Sequence, residues 1–230
     1  MCAKHCLNSL LQAAYFTELD LATIALQIDE QEKRQMAEGG LNNAEYLQFV
    51  SKPSSNMDDS GYFSVQVIES ALKVWNLDLI PFSSQDEIAK KAREDPTSRK
   101  AYICNYRDHW FTIRKIGQQW FNLNSLLSGP ELISDTYLSL FLTQLQQEGY
   151  AIFIVNGILP SCKSDQILSN IKISQPEKPR LVMKIKRNAV ETEEKSENKD
   201  LETAIALSLE TKAEDERKQL EAAIALSLQM

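Results

Sequence analysis

Ala101-Tyr102-Ile103-Cys104-Asn105, His109-Trp110-Phe111-Thr112-Ile113-Arg114 and Gln119-Trp120-Phe121-Asn122-Leu123 follow one another within 23 residues. Each is a short run rich in aromatic and aliphatic residues and bounded by polar punctuation, which predicts three strands. The turn Lys115-Ile116-Gly117-Gln118 makes a hairpin of the last two. Downstream, Gly129-Pro130-Glu131 breaks the pattern. Ser134 to Glu148 then reads as a helix with Leu138, Phe141, Leu142 and Leu145 inward, and the continuous apolar run Tyr150 to Val155 as a buried strand. Upstream, Leu77 to Phe82 reads as a strand and Asp86 to Arg93 as a small polar helix ended by Asp95-Pro96. Phe63 to Val74 is a strongly amphipathic helix with Ser64 at its cap.

The N-terminal third is helical in character. Residues 2–14 predict a first helix. Leu19 to Gln35 predicts a second, with Leu21, Ile24, Ala25 and Ile28 on one face, ended by Glu38-Gly39-Gly40. Leu41 to Val50 predicts a short third before Pro53, and Asn56 to Gly61 is turn chemistry. Helices first and an antiparallel sheet later make an α+β domain.

Composition narrows the function classes. The net charge of −7 argues against nucleic acid as the main ligand. Cys2, Cys6, Cys104 and Cys162 contain no C-x-x-C pair, and His5 and His109 lie far apart, so neither a zinc site nor any other cofactor is expected. So few cysteines in 230 residues, with no secretory signal, predict reduced thiols. No run approaches the length of a membrane span, so no membrane partner is expected.

Beyond about residue 172 the composition changes. Pro176 and Pro179 flank Glu177 and Lys178. Lys184, Lys186 and Arg187 form a basic patch, read as part of a solvated linker, and Glu191 to Asp200 is charged and nearly free of large apolar residues. The tail then repeats itself: Ala204-Ile205-Ala206-Leu207-Ser208-Leu209 recurs letter for letter as Ala223-Ile224-Ala225-Leu226-Ser227-Leu228, with Leu201 and Leu220 each three residues before. Leu, Ala, Ile, Ser and Leu thus share one helical face. Such short helices have no core of their own to bury, and fit the hydrophobic patch of a partner.

The chemistry is placed at the chain's first helix. Cys2 opens the run Cys2, Cys6, Leu7, Leu10, Leu11, and the positive end of the helix dipole favours thiolate there. A thiol nucleophile needs a base and a group to orient that base. His109, at a strand start, is the better base. His5, one turn from Cys2, packs or is solvated, and Cys6 is read as core. Asn124 or Asn122 could hold the imidazole: with Trp120 they share one strand face, and Asn124 sits at the strand's end. Cysteine early, then histidine, then asparagine is the order of papain-like proteases.

Four stretches carry a family resemblance: Cys-Ala-Lys-His-Cys-Leu-Asn-Ser-Leu-Leu (2–11), Asn-Met-Asp-Asp-Ser-Gly-Tyr-Phe-Ser (56–64), Cys-Asn-Tyr-Arg-Asp-His-Trp-Phe-Thr (104–112) and Trp-Phe-Asn-Leu-Asn-Ser-Leu (120–126). They closely resemble the Josephin domain, over residues 1–170. The tail repeats resemble ubiquitin-interacting motifs, at 200–213 and 217–230, beyond a linker at 171–199. The resemblance implies a papain-like cysteine protease fold with a helical hairpin (Leu19 to Val50) overhanging the cleft, followed by a flexible tail with two short ubiquitin-interacting helices. It implies a cysteine-type deubiquitinase that hydrolyses isopeptide bonds in ubiquitin chains, with Cys2 as nucleophile, His109 as general base and acid, and Asn124 as orienter. It further implies ubiquitin contacts at Val65 and Gln66 near the cleft, at Tyr15, Phe16 and Trp75 on a second surface, and at Leu201, Ala204, Ser208, Leu220, Ala223 and Ser227 in the tail. Ubiquitin and polyubiquitin chains, a AAA ATPase and proteasome shuttle factors are the implied partners, in nucleus and cytoplasm. Two departures stand out. Only Met1 precedes Cys2, where the family carries a glutamine that helps hold the oxyanion, and loss of one such donor costs a factor of ~10² to 10³ in turnover. The alternative expectation is therefore a catalytically impaired ubiquitin-binding adaptor. The chain also ends inside the second tail motif, with no evident arginine-rich segment for the ATPase.

Overall fold

The strands Asp78–Pro81 (β1), Ala101–Tyr106 (β2), His109–Ile116 (β3), Gln119–Leu123 (β4), Glu131–Ile133 (β5) and Ala151–Asn156 (β6) form one antiparallel sheet in the order β1-β6-β2-β3-β4-β5. Around it lie the helices Cys2–Leu11 (α1), Glu18–Ala37 (α2), Ala44–Ser51 (α3), Val65–Lys73 (α4), Glu87–Glu94 (α5), Asp135–Gln147 (α6) and Lys163–Leu168 (α7). The computed structural model describes residues 1–38, 40, 44–58 and 60–182. The basic patch and both tail repeats lie outside the described residues.

Alternation along the strands sorts the core into two layers. Tyr102, Cys104, Phe111, Ile113, Trp120, Ile152 and Ile154 pack against Ala89 and Ala92 of α5 and Leu138, Leu142 and Leu145 of α6. Ala101, Ile103, Trp110 and Val155 meet the buried faces of α1, α2 and α4. Leu7, Leu10 and Leu11 of α1 and Val67, Ile68, Ala71 and Leu72 of α4 are the apolar stripes of amphipathic helices, and all are buried. The α+β architecture anticipated from the sequence is the one observed, with α3 packed back on α2 as a helical hairpin.

Polar pairs fix how α1 lies along β3. Thr112 donates its hydroxyl to the Cys6 carbonyl at 2.9 Å, and the Arg114 guanidinium donates to the Leu10 carbonyl. Four helical residues rise about 6 Å, and two strand residues advance about 6.6 Å. Helix and strand therefore step together, residue 10 beside 114 and residue 6 beside 112. One further step back brings Cys2 to the start of β3.

Several boundaries differ from expectation. The first helix stops at Leu11, not 14, because Gln12 takes a left-handed conformation (φ 60°, ψ 29°). Asn8 then clasps the descending chain, donating to the Phe16 carbonyl at 2.8 Å and accepting from the Phe16 amide at 2.9 Å. The second helix starts on a capping box between Thr17 and Asp20 and extends to Ala37. Strand β5 and helix α7 were not anticipated. Residues 171–182, which the composition assigned to the linker, run beside β4 and β5: Gln119 and Ile173 exchange two hydrogen bonds, and the Gln175 side chain accepts from Leu132 on β5 at 2.7 Å.

Candidate active site

Cys2 is the first residue of α1 and is half-buried. Its thiol donates to the carbonyl of Asp108 at 3.2 Å. Asp108 belongs to the two-residue turn Arg107-Asp108 closing the β2–β3 hairpin, in which Tyr106 pairs with His109. Arg107 adopts φ 51°, a left-handed conformation uncommon for a residue with a side chain. The turn thus delivers a carbonyl to the thiol, and His109 follows one residue later in the chain.

His109 lies on the α6-facing side of β3, its ring parallel to that of Phe111 at 6.0 Å. Its Nε2 meets Asn124 Oδ1 at 2.8 Å. The pairing of Thr112 with Leu123 accounts for this contact. One step further along β4, Asn124 stands beside Phe111 and diagonally from His109, within reach of a long side chain. The amide of Leu126 also donates to Asn124 Oδ1, at 2.9 Å, so the oxygen of that carboxamide faces the ring. Nε2 therefore carries the proton, and Nδ1 is left without one. Burial holds the His109 pKa below the ordinary histidine value. The Asn124 bond opposes that shift, and the positive charge of the Met1 amine adds to it.

The alternative orienter, Asn122, is buried and donates to Glu131 at 3.1 Å. Cys6 is buried against Thr112, and burial pushes its thiol up to about 12. His5 is exposed. The structure thus gathers Cys2, His109 and Asn124 around one turn and leaves Asn122, Cys6 and His5 in other surroundings.

Sequence reasoning passed over the residues that frame this cluster. Trp110 donates its indole N–H to the Phe63 carbonyl at 2.9 Å, and the Tyr62 ring lies parallel to it at 6.4 Å. Asn105 donates to the His109 carbonyl at 3.3 Å. Burial raises the Tyr62 phenol pKa; a hydrogen bond with Asn105 opposes the rise, while nearby Asp108 and Cys2 add to it. Adjacency to His109 in sequence was the available signal for Asp108 and Trp110. Tyr62 had none, because only the fold brings residues 61–63 to the thiol.

The residues that the resemblance implies as ubiquitin contacts on the domain lie in two places. Tyr15, half exposed, tilts against Trp75 at 4.5 Å between ring centres, and Phe16 packs on the core beneath. Val65 and Gln66 are exposed on the first turn of α4, just past the Phe63 carbonyl that anchors Trp110.

The family pattern described as Josephin matches residues 1–156, and the pattern described as ubiquitin interaction motif matches 196–212 and 215–230. The chain is 58% identical to the rat protein Ataxin-3 (Rattus norvegicus) over 182 residues, covering 79% of this chain and 51% of the relative. It is 53% identical to Ataxin-3 of Gallus gallus over 208 residues (90% and 56%) and 54% identical to the Ataxin-3-like protein of Homo sapiens over 181 residues (79% and 50%). The chain thus spans about half the length of these relatives. With a Josephin match over most of its length, and with more than half its residues identical to those of these relatives over the matched length, the chain belongs to the Josephin family.

Proposed function

We propose that this chain is a cysteine-type deubiquitinase that hydrolyses isopeptide bonds in ubiquitin chains, capturing its substrate with tandem tail helices. The observation that carries the reading is the His109–Asn124 bond at 2.8 Å, set one residue from the carbonyl that binds the Cys2 thiol.

In this reading His109 Nδ1 takes the thiol proton, and Cys2 Sγ attacks the carbonyl carbon of the isopeptide. The resulting oxyanion faces the N-terminal turn of α1, whose amides have no intrahelical acceptor. The imidazolium returns its proton to the departing lysine amine as the C–N bond breaks, leaving a thioester on Cys2. Water, deprotonated by His109, attacks the thioester carbonyl. The intermediate collapses as the C–S bond breaks, the imidazolium returns its proton to the departing sulfur, and the C-terminal acid is released and ionises. Asn124 keeps the ring in the tautomer with Nδ1 free. Val65, Gln66, Tyr15, Phe16 and Trp75 are proposed as ubiquitin contacts on the domain, and the two tail motifs as contacts of their own. The AAA ATPase and proteasome shuttle factors belong to the proposal through the family resemblance. So does a location in nucleus and cytoplasm, which the four free thiols suit.

His109→Ala is the direct test. Turnover of lysine-linked ubiquitin chains should vanish while ubiquitin capture by the tail stays as in the parent. Equal loss of both would make the histidine a structural residue and remove the enzymatic reading.

A further inference from the structure

The carboxamide that orients His109 is itself held by something outside the sheet. Asn124 ends β4, and the chain from 124 to 130 crosses to β5 as a loop. Within that loop the Leu126 amide donates to Asn124 Oδ1 and the Leu127 amide donates to the Asn124 carbonyl at 3.0 Å, a turn closed around the asparagine side chain. The residue whose N–H aims Asn124 is then fixed from its other side. The Leu126 carbonyl accepts from the Val182 amide at 2.8 Å. Ser128 donates its amide to the Arg180 carbonyl at 2.8 Å, and its hydroxyl accepts from the Arg180 amide at 3.0 Å. Leu127 and Leu181 form an antiparallel bridge.

Residues 180–182 therefore act as a short strand laid on the loop. It is held by main-chain and polar bonds: Leu181 and Val182 leave most of their side-chain surface in solvent, at 69% and 64% exposure. Apolar packing does not explain its place. The same segment is moored upstream by Gln175, which also donates to the Pro130 carbonyl at 3.0 Å, and by Lys178, 3.4 Å from Glu131. Four hydrogen bonds thus converge on the loop that begins at Asn124.

We infer that Arg180–Val182 are positioning residues for the imidazole of His109, acting through the backbone of Leu126 and Ser128 on the carboxamide of Asn124. This rests on the proposed role of Cys2, His109 and Asn124. With the strap in place, the Leu126 amide has one direction to point and Asn124 one amide orientation to keep. Without it, the loop gains conformers in which Nε2 loses its acceptor and the ring turns away from the thiol.

The test uses the full chain and a ubiquitin C-terminal amide with a fluorogenic leaving group. Val182→Pro deletes the N–H that binds Leu126 and restricts Leu181 to the extended backbone it already uses. Ser128→Ala deletes the acceptor for Arg180, and Ser128→Thr keeps it. Loss of one such bond should lower kcat about fivefold at unchanged KM and unchanged melting temperature. It should move the His109 NMR titration in the direction Asn124→Ala moves it, and Ser128→Thr should restore the parent values. A kcat unaltered in both Val182→Pro and Ser128→Ala, while Asn124→Ala reduces it, overturns the strap. So does a fall in melting temperature that tracks kcat with no rescue by Ser128→Thr. An Asn124→Ala chain with full turnover instead overturns the site reading on which the strap depends.

Discussion

The surroundings of His109 disfavour a proton held on its ring. Removal from water disfavours the imidazolium, while the Asn124 acceptor favours it, and burial is the larger effect. The native site thus resists a proton that the unfolded chain accepts near the ordinary histidine value of about 6.5. As pH falls through that value the unfolded state binds more proton than the native state, so His109 withdraws stability on the acid side and none above it. An NMR titration of the ring should show a midpoint below that of a free histidine, and Asn124→Ala should lower it further by removing the opposing bond. A midpoint that rises in Asn124→Ala would mean that the carboxamide does not accept from the ring. The identity of the orienter was only half visible in the sequence. Strand alternation put Asn122 and Asn124 on one face, and the difference between them is made by tertiary partners: Glu131 takes Asn122, and the Leu126 amide turns the Asn124 oxygen to the ring.

At the scale of elements, one polar residue anchors the helical hairpin. Asn56 is fully buried and donates its side-chain amide to Asp29 at 2.8 Å and to Glu32 at 3.2 Å on α2, while its oxygen accepts from Ser64, the cap of α4. Asn56→Ala leaves these partners unpaired, at a cost of about 1–3 kcal/mol. Hydrogen exchange should accelerate along α2 while α1 and β3 keep their protection. Uniform acceleration across the domain would show that Asn56 supports the whole fold, not the hairpin. Helices and strands with an apolar period were legible: α4 and α6 carry their stripes openly. Helix α7 was not, because none of its six residues is buried and no stripe exists to read. It is set instead by Asp165, which pairs with buried Arg114 at 2.8 Å and accepts from the Gly117 amide at 3.0 Å. Gly117 is required there (φ 59°), since a Cβ would collide with the Leu168 carbonyl. The strap at 173–182 escaped for a similar reason, being held by side-chain amides and main-chain bonds that leave no hydrophobic pattern.

For the whole molecule, the proposed reading gives the chemistry to the Josephin domain and substrate capture to the tail motifs. In that reading, two weak ubiquitin sites on one chain raise the local concentration of a ubiquitin chain around it without a new contact at either. Ala204→Gly with Ala223→Gly should therefore raise KM for long ubiquitin chains and leave hydrolysis of a single ubiquitin C-terminal amide unchanged. Loss of the second activity as well would place the tail in the chemistry. The tail's repeat was plain in the sequence, and its match to ubiquitin interaction motifs rests on sequence alone. The site required the fold, because Cys2 lies more than a hundred residues before His109 and Asn124 and is brought to them only through the step-for-step alignment of α1 with β3 and the pairing of β3 with β4. That alignment leaves Cys2 partly exposed at the turn, while Cys6 and Cys104 are buried with their pKa values raised. A ubiquitin bearing a C-terminal electrophile, incubated with the full chain and mapped by peptide mass spectrometry, is the most direct measurement. The account predicts one covalent adduct, at Cys2, lost in Cys2→Ala and slowed in His109→Ala; an adduct at another cysteine, or none while the tail still binds ubiquitin, would contradict it.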